Sequence, residues 1–364
     1  MHLLKRGQSF LFFESIILKC LSQLNGERTI SSVFHLLNGS KSIQTIQDVH
    51  NYQLNMFYGV YRHLNRNPFN QSVSFLLENE YIHASEGEVN TFQLTEKALP
   101  FLAQSEQQFP FEYFNGLRYN ETADMFYLRL LLLIQTLTNT KMKFYHFIPI
   151  TDQPSVEQWV KQIYRKLKTN ETHALQGIYQ ELYQLLEIFP NNFASLFVDR
   201  LTGYKTYGKS LTQLAELNML SIADVNLILT GIIHKIIAII EEKRKEFPVL
   251  SFLLGDLTEK IPITNSTNQT YQLLQKKYTL DQIALMRNLK INTIHDHIVE
   301  IALYDPLFSL DQYITKERQQ QIINVVNRRS TFKLRDIKNA VHDDISYFEI
   351  RLVLAATKNK STGR

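Results

Sequence analysis

The stretch SLTQLAELNMLSIADVNLIL, from Ser210 to Leu229, recurs 69 positions later as TLDQIALMRNLKINTIHDHI, from Thr279 to Ile298. Both copies open on a hydroxyl residue with Gln three positions later, which is the capping box that starts a helix. In each copy a short helix of about eight residues is followed by a turn and by a second apolar helix. We therefore predict a helix-turn-helix in both places.

The composition around this repeat favours helices and more than one domain. The chain has 364 residues, of which 44% are hydrophobic and 20% charged, with only 12 Gly and 9 Pro. Few turn-forming residues argue against a turn-rich β fold, and the length allows two or three domains. Cys20 is the single cysteine, which excludes an internal disulfide and a Cys-rich zinc site and fits a reducing compartment.

The first hundred residues follow the order of a winged helix. Apolar spacing predicts helices over 10–24, 29–37 and 54–64, and a further helix over 73–78 capped by Asn70. The stretch YIHASEGEVNTFQLT then places two β-prone runs around Gly87, which predicts a hairpin. We expect a winged-helix-like domain with a small β-hairpin wing.

The predicted fold class is mainly α, with several helical domains and helix-turn-helix units towards the C-terminus. The predicted divisions are a winged-helix-like domain, a bridging helical segment, a helical domain holding the first repeat, a linker, a second helix-turn-helix domain and a basic tail. Their bounds are 1–105, 106–154, 155–256, 257–270, 271–357 and 358–364.

Several other patterns predict no membrane segment, no bound group and no catalysis. The apolar runs 128–137 and 227–240 are too short or are interrupted by charge to span a bilayer. The string Gly39–His50 lacks the spacing of a phosphate loop, so we expect a polar contact surface or a structured loop. His295 and His297 diverge on a helix, which argues against a metal site. We expect no cofactor, no metal and no enzymatic activity.

Positive charge is concentrated in the last quarter of the chain. Residues 271–364 hold 15 Lys and Arg against 10 Asp and Glu, a net of +5, whereas the remainder of the chain sums to −1. An excess of this kind favours a polyanionic partner. Ordinary scatter of solvated surface charge explains it equally well.

In a helix-turn-helix, the start of the second helix meets the base edges of DNA. In the second copy the outward positions are predicted to be Thr293, His295, Asp296, His297 and Glu300, which include no Arg or Lys. The basic residues flank the helix instead, which suits phosphate contacts and not sequence recognition. The predicted DNA-contacting residues are Lys276, Lys277, Arg287, Lys290, Asn292, Thr293, His295, Arg328, Arg329 and Lys333.

The first copy has Ala223, Asp224 and Asn226 outward and no basic residue in its turn, so a structural or protein-docking role is expected there.

The sequences KKYTLDQIALMRNLKINTIHDHIVEI and DIKNAVHDDISYFEIRLVLA resemble the helix-turn-helix domain found at the C-terminus of some RecQ-type DNA helicases. The whole chain, including GSKSIQTIQDV and the wing-like stretch, is similar to stand-alone bacterial proteins of the YpbB type. The resemblance implies a cytoplasmic bacterial protein that works with a RecQ-type helicase. The helicase motor, with its phosphate loop and DExH box, is absent from the sequence, so any unwinding would come from the partner.

Two functional hypotheses follow, with an uncharted enzyme as a remote third. In the first, the protein is a non-enzymatic adaptor that binds a RecQ-type helicase and contacts the DNA backbone with little sequence specificity. In the alternative, it is a sequence-specific transcription regulator that reads DNA through the N-terminal winged helix. The reading residues would then be Asn70, Gln71, Ser72 and Ser74.

Overall fold

A computed structural model of the chain describes residues 11–85, 87–168, 170–257 and 263–362. Within those ranges the protein is mainly α-helical, as predicted, with one small two-stranded sheet. The basic tail predicted at 358–364 lies only partly in this range, and its side chains lie outside the described residues.

The N-terminal part contains the predicted winged-helix elements. The helices and strands are α1 (Phe12–Leu24), α2 (Ile30–Leu37), α3 (Ile43–Asn51), α4 (Arg66–Glu78), β1 (Ile82–Ala84), β2 (Phe92–Leu94) and α5 (Ala98–Gln108). The strands pair antiparallel, with Ile82 opposite Leu94 and Ala84 opposite Phe92. The predicted hairpin and the first two predicted helices are thus confirmed.

Two of the N-terminal helix predictions were wrong. Residues 54–64 form only a short 3₁₀ turn, Asn55–Phe57, followed by irregular chain in which Gly59 has a left-handed φ of 67°. Helix α4 begins at Arg66 and not at residue 73, so Asn70 lies inside it. Pro68 is tolerated because it occupies the first turn, where a backbone N–H has no intrahelical partner.

The middle part is a helical assembly. It consists of α6 (Gly116–Tyr119), α7 (Thr122–Lys141), α8 (Pro154–Leu167), α9 (Glu171–Leu186), α10 (Asn191–Val198), α11 (Leu211–Asn218), α12 (Ile222–Glu242) and α13 (Pro248–Leu254). One apolar cluster runs from Phe12 to Leu254 and joins this part to α1 and α5. The divisions predicted at 105 and 154 therefore do not separate hydrophobic cores.

The C-terminal part has a second apolar cluster, running from Ile283 to Ala355. Its helices are α14 (Asn265–Gln275), α15 (Leu280–Arg287), α16 (Ile291–Tyr304), α17 (Lys316–Arg329), α18 (Leu334–Lys338) and α19 (Tyr347–Thr362). Helix α14 begins inside the stretch predicted to be a linker up to residue 270. The reason is that Thr264 caps the helix and the Glu300 carboxylate accepts from the Thr264 N–H at 2.6 Å.

Both copies of the repeat form the predicted helix-turn-helix, as α11–α12 and as α15–α16. Each first helix has its capping box, with Ser210 and Gln213 in one copy and Thr279 and Gln282 in the other. Each turn places a residue in the left-handed region, Met219 at φ 53° and Asn288 at φ 51°.

Helix α12 is long and apolar enough to cross a membrane by length and composition alone. Most of it is buried inside the protein, where Ile228, Ile232 and Ile236 are fully enclosed. Packing in the first core accounts for its apolar character.

The start of α12 also holds α1 in place through Asp224. This buried carboxylate closes a capping box with Ser221 and accepts a hydrogen bond from the Phe13 N–H at 2.9 Å. Burial raises its pKa, and the hydrogen bonds from Ser221 and Phe13 oppose that rise. The prediction that Asp224 faces outward was therefore wrong, because α1 covers this turn.

We expect Asp224→Ala to lower the free energy of unfolding by about 2–4 kcal/mol, because the substitution removes a helix cap and leaves the buried Phe13 N–H without an acceptor. Urea unfolding followed by the fluorescence of Trp159, which packs on the same core, measures this loss. Gln213→Ala breaks the matching but exposed capping box of α11 and should cost no more than about 1 kcal/mol. Equal losses of stability in the two variants would show that the hydrogen bond between Asp224 of α12 and the Phe13 N–H of α1 does not stabilise the fold.

Candidate nucleic-acid interface

Three exposed lysines occupy the two connections of the second helix-turn-helix. Lys276 and Lys277 lie between α14 and α15, and Lys290 is the residue before α16. We call these three residues the loop lysines. Because α15 has eight residues, its two ends are about 12 Å apart, so the cations flank it at both ends. This is the arrangement that the sequence predicts for contacts to a phosphate backbone.

Arg287, also predicted to contact DNA, is engaged inside the protein. Its guanidinium donates to the Ser266 carbonyl at 2.7 Å, to the Thr270 hydroxyl at 2.5 Å and to Gln269 Oε1 at 2.9 Å. These bonds fasten the end of α15 onto α14. Both NH groups of Arg287 are therefore engaged inside the protein, and a contact of Arg287 with DNA stays a prediction.

Helix α16 is the helix that would enter a DNA groove, and most of it is covered. The predicted outward residues His297 and Glu300 are buried, with His297 Nδ1 at 2.8 Å from the Thr270 hydroxyl and Glu300 bonded to Thr264 and Thr267. Helices α14 and α19 both pack on α16. The outward assignment of His297 and Glu300 was therefore wrong.

The neighbouring residues of α16 are turned towards α19. The His295 ring stacks on Phe348 with centroids 4.0 Å apart, and Asp296 forms a 2.8 Å ion pair with Arg351. Burial lowers the pKa of both His295 and His297, so their imidazoles stay neutral at physiological pH. His295 is thus a packing residue and lacks the charge that would attract a phosphate.

Only the first turn of α16 remains accessible for contact with bases. Ile291 and Asn292 are exposed and Thr293 is half-buried. Lys290, and not Asn292, occupies the position that caps this helix. Asn292 and Thr293 therefore keep the positions expected of base-contacting residues, while the rest of the helix does not.

The other predicted basic residues divide into two groups. Arg328 and Arg329 end α17 and are exposed, and Arg329 also donates to the Asp336 carbonyl at 3.2 Å. Lys333 instead forms a 2.7 Å ion pair with Glu88 of the wing. Its ammonium therefore joins the C-terminal part to the hairpin, and a contact of Lys333 with DNA stays a prediction.

Helix α4 precedes the hairpin, which is the place of the recognition helix in a winged helix. Asn70, Gln71 and Ser74 are exposed there, as a reading role requires. Ser72 is buried and its hydroxyl donates to Glu14 Oε1 at 2.8 Å, so its predicted role was wrong. Asn67 is exposed on the same face of α4, because residues 67, 70, 71 and 74 stand at i, i+3, i+4 and i+7 of the helix. Asn67 was missed because the helix was predicted to start at residue 73.

The N-terminal and C-terminal parts are joined by polar contacts around α3. Ser42 caps α3, and Gln47 of this helix donates to the Arg351 carbonyl at 3.0 Å. The Phe332 N–H donates to Glu27 at 2.9 Å. Most of the string Gly39–His50 forms α3, a helix that its sequence did not predict, and Gln47 of this helix contributes a polar contact between the two cores.

In the part of the chain that the structure describes, no three His, Cys, Asp or Glu side chains are grouped so that they could hold a metal ion. Cys20 is enclosed in the first core, and burial raises the pKa of its thiol far above the ordinary value. A buried neutral thiol is a packing residue and not a nucleophile.

Comparison with known proteins agrees with this architecture. Residues 266–354 match a family of helix-turn-helix domains, and residues 15–111 match the RQC domain family. These two domains indicate a DNA-binding region like that of RecQ-type helicases. No solved structure matches the chain. The protein is 32% identical over 348 residues to Protein YpbB of Bacillus subtilis (strain 168). The matched residues make up 95% of this chain and 97% of that relative. With this identity along nearly the full length of both, the chain belongs to the YpbB family.

Proposed function

We propose that the protein is a non-enzymatic, cytoplasmic adaptor that binds a RecQ-type helicase and contacts the DNA backbone with little sequence specificity. The observation that carries the proposal is the distribution of exposed residues in the second helix-turn-helix. Its connections carry the exposed loop lysines, while α14 and α19 cover the helix that would read bases except at its first turn, where Asn292 and Thr293 stay accessible. Cations beside so few base-reading side chains bind phosphates with little dependence on sequence.

The first helix-turn-helix exposes apolar side chains at its turn, as the second does, but it carries no Lys or Arg beside them. Its turn exposes Leu217, 64% accessible, and Met219, 85% accessible, with Ile222 beside them. No Lys or Arg lies between Ser210 and Leu229. Exposed apolar side chains grouped at one turn are typical of protein–protein contact. We therefore assign helicase docking to this turn and DNA contact to the second copy.

The docking assignment is tested by titrating the protein with the RecQ-type helicase of the same bacterium and measuring the dissociation constant. Leu217→Ser/Met219→Ser should weaken the complex by about 30- to 1000-fold, since each of the two buried apolar side chains contributes about 1–2 kcal/mol. Leu285→Ser/Met286→Ser is the matched control, because these exposed residues occupy the equivalent end of α15. A wild-type protein with no affinity at micromolar concentrations, or a control that weakens as much, would refute the assignment.

The alternative of a sequence-specific regulator is favoured by one observation, the exposed amide row of Asn67, Asn70 and Gln71 on α4. Amide side chains form paired hydrogen bonds with adenine in the major groove. Selection of bound sequences from random duplexes separates the two functions. A consensus that is lost in Asn70→Ala/Gln71→Ala would establish the regulator, and an unselective result supports the adaptor.

A further inference from the structure

Two loops of the middle part combine lysines with exposed aromatic rings. The first runs from the last residue of α7 and contains Lys141, Lys143, Phe144 and Tyr145, and the second precedes α11 and contains Tyr204, Lys205 and Tyr207. We call these seven residues the aromatic patch. Tyr145 is 63% and Tyr207 86% exposed. Neither helix-turn-helix includes them, and the proposed contacts to DNA and helicase do not use them.

The structure brings these loops together although about 60 residues separate them. The rings of Phe144 and Tyr204 are in contact, with centroids 6.0 Å apart and planes at 62°. A Cβ placed on Gly203 would lie 3.2 Å from the Thr138 hydroxyl, so the second loop crosses close to the last turns of α7. These two contacts place the loops side by side.

The first loop is held in a defined conformation. Helix α7 ends with hydrogen bonds from the Phe144 N–H to the Asn139 carbonyl and from the Lys143 N–H to the Thr140 carbonyl. This pattern places Lys143 at φ 58°, where glycine is the usual residue. Lys143 is exposed, and the hydrogen bonds hold its backbone in this strained conformation.

The second loop is also fixed by its backbone. Gly203 and Thr206 exchange two hydrogen bonds, of 2.9 and 3.2 Å, with Tyr204 and Lys205 at the corner of the turn. Gly208 cannot be replaced by a larger residue without a shift, because a Cβ there would lie 2.2 Å from the Arg200 carbonyl oxygen. Tyr207 is therefore presented from a rigid support, which reduces the entropy lost on binding.

The charge of the patch is uniformly positive. Residues 139–150 and 200–209 include two and three Lys or Arg respectively and no Asp or Glu. Lys209 is neutralised by Asp199 at 2.8 Å, whereas Lys141, Lys143 and Lys205 are exposed. An apolar protein partner would leave these three ammonium groups unmatched, whereas a polyanion with flat bases satisfies both the cations and the rings.

We propose that the aromatic patch binds single-stranded DNA, with bases stacked on Tyr145 and Tyr207 and phosphates near Lys141, Lys143 and Lys205. Stacking requires unpaired bases, because in a duplex each base face is already covered by its neighbours. The inference rests on the proposed function, because that function makes DNA the nucleic acid that the protein meets. It assigns a second site that holds separated strands, while the loop lysines hold the duplex.

The test is fluorescence anisotropy of the full chain with a labelled thymidine oligomer. Tyr145→Ala/Tyr207→Ala should weaken binding by at least about 10-fold, since each lost base–ring stack contributes about 1–3 kcal/mol. Tyr145→Phe/Tyr207→Phe should retain the wild-type affinity, because the ring is kept. Tyr179→Ala/Tyr183→Ala is the control, since these two tyrosines of α9 are comparably exposed, at 67% and 56%.

Three results would overturn the assignment. They are the absence of binding at 100-micromolar protein, an equal loss in the α9 control, and a uridine oligomer that binds ten times more tightly than the thymidine one. Titration with duplex DNA distinguishes a wrong assignment of the aromatic patch from a wrong proposed function. Duplex affinity should depend on the loop lysines and stay within about twofold in Tyr145→Ala/Tyr207→Ala.

Discussion

Reversal of the loop lysines, as Lys276→Glu/Lys277→Glu/Lys290→Glu, should lower the affinity for duplex DNA by about 100-fold at 0.1 M salt. Each charge-assisted contact to a phosphate is worth about 1 kcal/mol or more, and three such losses correspond to roughly that factor. All three side chains are exposed, so the fold should be retained. Anisotropy titrations with labelled duplexes of unrelated sequence measure the change.

Salt dependence gives the same variant a second readout. Each neutralised phosphate contributes about −0.9 to the slope of log affinity against log salt. The slope of the variant, which lacks three such contacts, should therefore be shallower than the wild-type slope by about 2.7. The loss should be equal for all duplex sequences, because no bases are read. A loss confined to one sequence would contradict the proposed backbone contact.

The matched control is Lys243→Glu/Arg244→Glu/Lys245→Glu, which changes the net charge by the same amount at exposed positions after α12. This variant should bind duplex DNA within about threefold of wild type. If both triple variants lose affinity equally, net charge and not the helix-turn-helix surface determines binding, and the assignment of the loop lysines fails.

Acidification should destabilise the first core through His234, with a loss of about 2 kcal/mol between pH 6.5 and 4.5. The imidazole is fully buried in α12, and its Nδ1 accepts a hydrogen bond from the Asn115 N–H at 3.2 Å. Burial lowers its pKa to about 3, whereas the unfolded chain has the ordinary value of 6.5. One pKa unit corresponds to 1.36 kcal/mol.

The direction of this effect follows from proton uptake. Below pH 6.5 the unfolded chain binds a proton at His234 and the folded protein does not, so stability falls as the pH decreases towards 3. Above pH 6.5 neither state is protonated there and the contribution is constant. Urea unfolding at a series of pH values, followed by Trp159 fluorescence, measures the slope.

His234→Asn isolates this contribution, because asparagine retains a hydrogen-bond acceptor and does not titrate. The difference in stability between wild type and variant should change by about 1.4 kcal/mol per pH unit between pH 6 and 4. Other buried groups also make the stability depend on pH. Burial raises the pKa of Asp48 and Asp224, which opposes the effect of His234, and lowers the pKa of His35, which acts in the same direction. These groups are the same in wild type and variant, so they cancel when one stability is subtracted from the other. A difference that is constant across this range would show that His234 is accessible to protons when folded.

Much of the local structure was determined by the sequence. The two capping boxes and the recurrence of SLTQLAELNMLSIADVNLIL predicted two helix-turn-helix units, and both exist. The β-prone runs around Gly87 predicted the hairpin. These signals depend on contacts within four residues or across one short turn, so a local pattern contains all the information they need. The irregular chain after residue 54 was missed because apolar spacing alone also fits a helix.

Which surfaces remain free was decided by the tertiary structure. Helix periodicity predicts an apolar face, but not that α19, much further along the chain, stacks Phe348 on His295 and pairs Arg351 with Asp296 on the polar side of α16. Likewise, the partners of Arg287 and Lys333 lie on other elements, and the aromatic patch exists only because two distant loops meet. Burial and pairing depend on long-range packing, which the sequence specifies only through the fold as a whole.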